Sequence, residues 1–458
     1  MKETIDIRKL CINNMGKHII IIGNGISGIT CARHVRKLSK HRITVISSES
    51  EHFFSRTALM YIYMGHMKFE HTKPYEDYFW GKNKIDLVKK YVKQVDTKNK
   101  LLLFSDGSSI NYDILVLATG SKSNYFDWPG QDFKGVQGLY NLQDLENMEE
   151  NTKGISQAVI IGGGLIGIEM AEMLRSRKIG VTFLVREKNF WNNILPLEEA
   201  EMINRHIRDH HVDLRLESEL KEIKGDSTGR VSAIITNKGE EMPCQFVGLT
   251  VGVSPNIDFL KSYDIETDRG ILVNDFFETS VTDVYAIGDC AQFRVPPAGR
   301  KPIEQVWYTG RMQGEVLAKT ICGERLAYSP GHWFNSAKFF DIEYQTYGIV
   351  NSQLSENDQT FYWEHSNGKI SFRIVYDKND KKVIGFNVFG FRLRHEICNE
   401  WLTERKPIDY IMEHLPEANF DPEFYRKYEP EIIAQYNKQS GKSLKLKSRK
   451  GLLATFLK

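Results

Sequence analysis

At 458 residues, 41% hydrophobic and 26% charged, the chain has the composition of a soluble globular protein of two or three domains. Its 61 Lys and Arg against 59 Asp and Glu leave a net charge of +2, which gives no case for a nucleic-acid partner. No apolar run approaches the ~20 residues that span a bilayer, and residues 1–18 lack the apolar core of an export signal. Six cysteines without C-x-x-C or zinc-knuckle spacing fit free thiols in a reducing cytosol, and no metal site is expected.

The first recognisable element is residues 18–35, HIIIIGNGISGITCARHV. Ile19 to Ile22 form an unbroken apolar run, the pattern of a buried parallel strand. Gly23, Gly25 and Gly28 then spell G-x-G-x-x-G directly before a helical segment. In that device the first glycine allows the strand-to-helix turn, the second lets a pyrophosphate approach the backbone, and the third lets helix pack on strand. Residues 43–46 read as the next strand. An acidic residue near its end normally holds an adenosine ribose, and Glu49 lies 21 residues after Gly28. Residues 52–69 are rich in aromatics and methionine, a composition of core more often than of cofactor wall. Strands are expected at 91–96 and 101–104, with a hairpin signal at Asp106-Gly107, and a buried strand ends in Ala118-Thr119-Gly120.

Residues 157–172, QAVIIGGGLIGIEMAE, repeat the opening device with Gly162, Gly164 and Gly167. Two such units imply an internal duplication of the fold and two separate dinucleotides. The strand at 181–185 runs into Arg186, Glu187 and Lys188. Glu187 suits the ribose diol of NADH, and Arg186 or Lys188 suits the 2′-phosphate of NADPH; the acidic residue favours NADH. Strands return at 246–256 and 270–289, a helix is expected over 303–322, strands dominate 334–390, and 395–437 is mixed and partly helical. From Lys438 the chain turns basic, KSLKLKSRK, and then apolar, GLLATFLK. Such a tail suits an anionic membrane surface or a partner groove, and equally a solvated terminus.

Over roughly residues 17–330 these motifs resemble the pyridine nucleotide–disulfide oxidoreductases, flavoproteins with two dinucleotide sites. The resemblance rests on both glycine units, on residues 112–120, on Glu169, on GVSPN at 252–256, and on TSVTDVYAIGDCA at 279–291. It implies an α/β fold with two Rossmann-like domains, the first for FAD and the second for NAD(P)H, plus a C-terminal α+β domain. The corresponding boundaries are 15–145 and 272–330 for FAD, 146–271 for NAD(P), 331–437 for the C-terminal domain, and 438–458 for a basic tail. By the same resemblance Asp289, after Gly288, hydrogen-bonds the FAD ribityl chain, and the backbone of Val92 meets the adenine. Gly252 lies at the cofactor, and the helix from about Ile303 points its N-terminus at the flavin pyrimidine.

The disulfide branches need redox cysteines near the flavin, and none stands at those places here. The chain is instead similar to the ferredoxin/rubredoxin reductase and apoptosis-inducing-factor-like branch. Arg56 and Leu59 match its Arg-Pro-x-Leu segment, with Thr57 in place of the proline. That branch often carries a lysine paired with the glutamate matching Glu169; Tyr61 stands at the lysine position. Trp307 is a candidate to cover the flavin or nicotinamide face, or else a packed core indole. The implied activity is hydride transfer from NAD(P)H to FAD, then electron transfer to an external acceptor. A small iron–sulfur carrier is the first reading. A quinone reductase held at the inner membrane face by the tail, and a redox-sensing flavin-binding protein, stay open. A cytoplasmic monomer or homodimer is expected.

Overall fold

A computed structural model describes residues 16–260, 264–421 and 426–447; Cys11 and the tail beyond residue 447 lie outside them. The chain forms two compact units, one of residues 1–124, 140–149 and 253–330, the other of residues 125–139, 150–252 and 331–458.

The first unit is built on a five-stranded parallel sheet. His18–Ile22 lies at its centre, flanked by Arg42–Ser47 and Ile85–Lys89 on one side and by Ile114–Leu117 and Val284–Ala286 on the other. Ile19, Ile20 and Ile21 are fully buried, which is what the continuous apolar run requires of a strand covered on both faces. Between the third and fourth strands sits an antiparallel meander of Val92–Asp96, Leu101–Phe104 and Ser109–Asn111. The helix Ile26–Leu38 follows the first strand and packs closely on Trp307–Ile321. A side chain at Gly310 would come within 2.4 Å of Ser27 Oγ, and one at Gly314 within 2.6 Å of the Ser27 carbonyl oxygen. Glycine at both positions is therefore what lets these helices touch.

The second unit repeats this plan. Its parallel sheet runs Val212–Leu216, Gly180–Val185, Gln157–Ile161, Phe246–Leu249, Val136–Gln137. An antiparallel meander of Leu220–Gly225, Val231–Thr236 and Glu241–Pro243 follows the strand Val212–Leu216. The same unit carries a separate antiparallel sheet ordered Phe334–Phe339, Ile342–Gly348, Val383–Phe389, Ser371–Asp377, Asp358–Glu364. The helices His395–Thr403, Ile408–Ala418 and Glu429–Ser440 share one apolar core with it, centred on Phe372, Phe386 and Ile411. Arg373, 2% exposed, donates from Nε to Glu199 at 2.9 Å and from Nη2 to Glu198 at 2.8 Å. Asn387 Nδ2 completes the pairing on Glu199 Oε2 at 2.8 Å, so the buried Glu199 of the helix Leu197–Asp209 is compensated by the sheet.

The structure differs from expectation in four places. The chain returns to the first unit at residue 253, not 272, because Val253–Pro255 pairs antiparallel with Ser121–Ser123. Residues 125–139 belong to the second unit, where Val136–Gln137 extends the parallel sheet. The helix expected over 303–322 starts at Trp307. Ahead of it Val306 is extended, Arg300 pairs with Glu304 at 2.6 Å, and Thr309 Oγ1 donates to Glu304 at 3.0 Å. The segment from Lys438 also differs from a free tail as far as residue 447. The helix Glu429–Ser440 continues through Lys438, Leu444 and Leu446 pack on the C-terminal core, and Lys442 pairs with Asp409 at 2.6 Å.

Candidate functional site

Each unit carries the same cradle at the end of its central strand. Gly23 has φ +115° and Gly162 φ +110°, a region closed to other residues, and a side chain at either would strike the carbonyl of Ala118 or of Thr250. Gly28 and Gly167 are blocked in a different way. A Cβ at Gly28 would lie 2.1 Å from the Gly23 oxygen, and one at Gly167 would lie 2.7 Å from the Gly162 oxygen. Gly25 and Gly164, by contrast, face open space, and a Cβ at either would meet nothing within 4 Å beyond its own stretch of chain. The second glycine is thus the one position where atoms are omitted without any protein atom filling the gap, which fits a bound phosphate.

The helices behind the cradles are also distinctive. Ile26–Leu38 and Leu165–Ser176, and with them Trp307–Ile321, begin without an acidic residue in the first turn. Among the described residues, each other helix of nine residues or more starts with Asp or Glu: Asp144, Glu198 and Glu199, Glu396, Asp409, or Glu429 and Glu431. An acid there would compete for the N-terminal N–H groups and the positive end of the dipole. The three helices without a first-turn acid are the three for which the family resemblance implies cofactor contacts.

Near the first cradle the structure joins several candidates into one network. Arg56 donates from Nη1 to Glu49 Oε1 at 2.8 Å and from Nη2 to Oε2 at 2.6 Å. Glu49 Oε1 also accepts from the Leu142 amide at 2.9 Å, so both oxygens of this carboxylate are engaged within the protein. Arg56 Nη1 donates to the Tyr140 carbonyl at 2.7 Å, and its guanidinium lies 4.7 Å from the Tyr140 ring centroid. Tyr140 Oη and Ser121 Oγ each donate to Asp289 Oδ2 at 3.1 Å, and Gln305 Nε2 donates to Ser121 Oγ at 2.7 Å. Burial raises the Asp289 carboxyl, while Ser121, Tyr140 and Arg56 pull it back. Tyr140, Ser121 and Gln305 carry no local signal; Tyr140 reaches Asp289 across a gap of 149 residues.

The remaining candidates sit as follows. Val92 is buried in the first strand of the meander, opposite Phe104. Ala118, Thr119 and Gly120 follow the fourth strand, and Thr119 Oγ1 donates to the Asn256 carbonyl at 2.8 Å. Gly288 has φ +74°, and a side chain there would strike Ser27 Oγ. Gly252 has φ +93° and closes the second unit's first pass. Arg186 pairs with Glu187 at 3.0 Å, and Glu187 is the better covered of the two. Tyr61 lies in the short helix Leu59–Tyr63, its ring 6.1 Å from His66. Trp307 is 36% exposed and so is not a packed core indole.

Glu169 is half-buried in the helix Leu165–Ser176. Burial and the Glu172 carboxylate lift its carboxyl to about 7, against the pull of Lys338. Below the ordinary value of 4.5 the group is protonated in folded and unfolded chains alike. Between 4.5 and 7 the unfolded chain releases the proton and the folded chain keeps it, so stability falls as pH rises through this window. Urea unfolding across that range should show the parent losing up to about 3 kcal/mol more than Glu169→Gln. Parallel curves for the two proteins would put the carboxyl in the ordinary range.

Cys31, Cys244, Cys290, Cys322 and Cys398 are all free. Cys290, beside Asp289, is fully buried, and its Sγ lies 3.3 Å from the Ile287 carbonyl oxygen and 3.5 Å from that of Leu117. Burial raises its pKa and that of Cys31, so neither is a ready thiolate. No helix among the described residues is long and apolar enough to cross a membrane.

The sequence profile of the pyridine nucleotide-disulphide oxidoreductases matches residues 17–314. The assimilatory nitrate reductase electron transfer subunit of Bacillus subtilis is 28% identical over 430 residues, covering 92% of this chain and 54% of that protein. An NADH oxidase of Methanocaldococcus jannaschii is 31% identical over 348 residues, covering 72% of this chain and 76% of that protein. The chain spans about half the length of the two Bacillus subtilis relatives it matches, 54% and 46%. In structure it is similar to a ferredoxin reductase of Rhodopseudomonas palustris, with a TM-score of 0.76 at 22% identity over 89% of this chain and 96% of that one.

Proposed function

Because the chain belongs to the pyridine nucleotide-disulphide oxidoreductase family, we propose that it is an FAD-dependent NAD(P)H oxidoreductase that passes electrons to a small carrier protein, with NADH as its donor. When bound, FAD and the pyridine nucleotide supply the hydride and electron-transfer chemistry. The observation that carries the reading is the duplicated cradle, open at Gly25 and Gly164, together with the absence of an accessible thiol pair among the described residues around the first. The first cradle and the uncapped helix Ile26–Leu38 hold the FAD pyrophosphate; Asp289, set by Ser121 and Tyr140, binds the ribityl chain. The second cradle takes NADH, with Glu187 on the ribose diol. A relative named as an electron transfer subunit supports a protein acceptor, and one named as an NADH oxidase supports NADH.

Tyr61 and Glu169 are proposed to set the polarity felt by the reacting groups. Tyr61→Lys should change the pH dependence of reduction by NADH, and an unchanged profile would remove Tyr61 from that role. Steady-state turnover of the FAD-loaded protein separates the acceptors. NADH oxidation should be at least ~10-fold faster with a small iron–sulfur protein than with a soluble quinone or with oxygen alone. Equal or faster turnover with quinone favours the membrane-surface reading, and negligible turnover with every acceptor favours a redox sensor.

A further inference from the structure

The helix Leu197–Asp209 is fixed to the C-terminal sheet at its start by Glu198, Glu199 and Arg373, a fully paired charge cluster. Its other end meets the sheet differently. His206, in the last turn, and His210, at the C-cap, are four residues apart and so share one helix face. Both rings point at Asp341 in the turn between Phe334–Phe339 and Ile342–Gly348. Asp341 Oδ1 lies 2.6 Å from His206 Nε2 and 3.2 Å from His210 Nε2. One ligand atom from each of the three residues falls within 4.8 Å of the others. His206 is 1% exposed, and apart from the approach of Asp341 to Nε2 its ring has no partner: Nδ1 makes no hydrogen bond.

We propose that His206, His210 and Asp341 form a binding site for a first-row divalent metal ion of the zinc class, which clamps the end of this helix to the C-terminal sheet. Two imidazoles and one carboxylate are a ligand set that zinc accepts, with solvent at the fourth position. Asp341 is exposed, so water has access there. Burial lowers the pKa of both histidines against the pull of Asp341, and the neutral imidazole is the form that ligates a metal. A tetrahedral ion spaces its ligand atoms by roughly 3.4 Å, so Asp341 has to withdraw from His206 by less than an ångström. Its place in an exposed turn allows that movement.

The surrounding charges are balanced. Lys369 Nζ lies 3.2 Å from Asp341 Oδ2 and leaves Oδ1 to the metal. Asp209 and Glu172 add negative charge near His210, and Lys338 neutralises Glu172 at 2.8 Å. The Phe340 ring lies 4.2 Å from the His210 ring centroid and 6.1 Å from that of His206, closing the apolar side.

The test uses the full chain, treated with chelator and then titrated with Zn²⁺ by calorimetry and with Co²⁺ by visible absorption. One equivalent should bind, the cobalt spectrum should be of nitrogen–oxygen type, and zinc should raise the melting temperature. His210→Ala and Asp341→Ala alter groups that solvent reaches and should leave the metal-free melting temperature near the parent's. Each should weaken binding by more than about tenfold, the least expected for loss of a direct ligand. Three results overturn the proposal: no saturable binding, equal affinity in both variants, or a sulfur-to-cobalt charge-transfer band that moves the metal to cysteine. If a pH-dependent His206–Asp341 ion pair is all that exists, melting depends on pH and not on zinc.

Discussion

Gly25→Asp and Gly164→Asp should each fold as well as the parent and each lose one dinucleotide. Both backbones are extended, with φ of −71° and −116°, and beyond its own stretch of chain the new side chain's Cβ would meet nothing within 4 Å. Both residues are N-caps, where aspartate is among the preferred residues and stabilises a helix by about 0.5–2 kcal/mol relative to alanine. The new carboxylate satisfies the N–H groups that a phosphate otherwise takes. It also places like charges about 4 Å apart, worth about 4 kcal/mol at an effective dielectric constant of 20, or roughly 10³-fold in affinity. Purified Gly25→Asp should therefore be colourless. Gly164→Asp should stay yellow and be reduced by dithionite, but not by NADH at concentrations that reduce the parent. A yellow Gly25→Asp, or a Gly164→Asp that titrates with NADH like the parent, would remove the open glycine from phosphate binding.

Asp289→Ala should lose FAD affinity by about 1.5–3 kcal/mol, on the order of ten- to a hundredfold, the worth of a hydrogen bond to a charged group. The loss has two parts. The carboxylate itself is removed, and Tyr140 Oη and Ser121 Oγ, which both donate to Asp289 Oδ2, are left without their acceptor. Asp289→Asn separates these parts, since its amide oxygen still accepts from both hydroxyls. It should keep the parent's melting temperature and bind FAD less tightly than the parent. Equilibrium dialysis of FAD against all three proteins reads the result, and equal affinities would move the ribityl contact elsewhere.

The duplication was legible because a glycine's role in the cradle is local. Gly23, Gly25 and Gly28 act within six residues, and the burial of Ile19, Ile20 and Ile21 follows from their own run. The missing first-turn acids were equally present in the sequence, but they mean something only beside the acids that start the other helices. What escaped depends on distant chain. Arg56 reaches Tyr140 across 84 residues, and no pattern marks Ser121–Ser123 as the partner of Val253–Pro255. The helix beginning at Trp307 escaped for a related reason: Arg300 and Glu304 pair in the irregular segment before it, whose last residues, 303–306, read as helical. In the segment from Lys438, the alternation Leu444-Lys445-Leu446-Lys447 suits a surface anchor, but its apolar face is spent on the protein's own core. The spacing of His206 and His210 was visible too, yet without Asp341 two histidines on a helix carry no ligand set.

On the proposed reading, electrons leave this protein without a dithiol stage. Anaerobic titration of the FAD-loaded protein with dithionite tests this most directly. The raised pKa values and burial of Cys31 and Cys290 predict full bleaching at about one equivalent of two-electron reductant, unchanged by prior thiol alkylation. An end point near two equivalents that falls to one after alkylation would contradict the reading and make the protein a disulfide reductase.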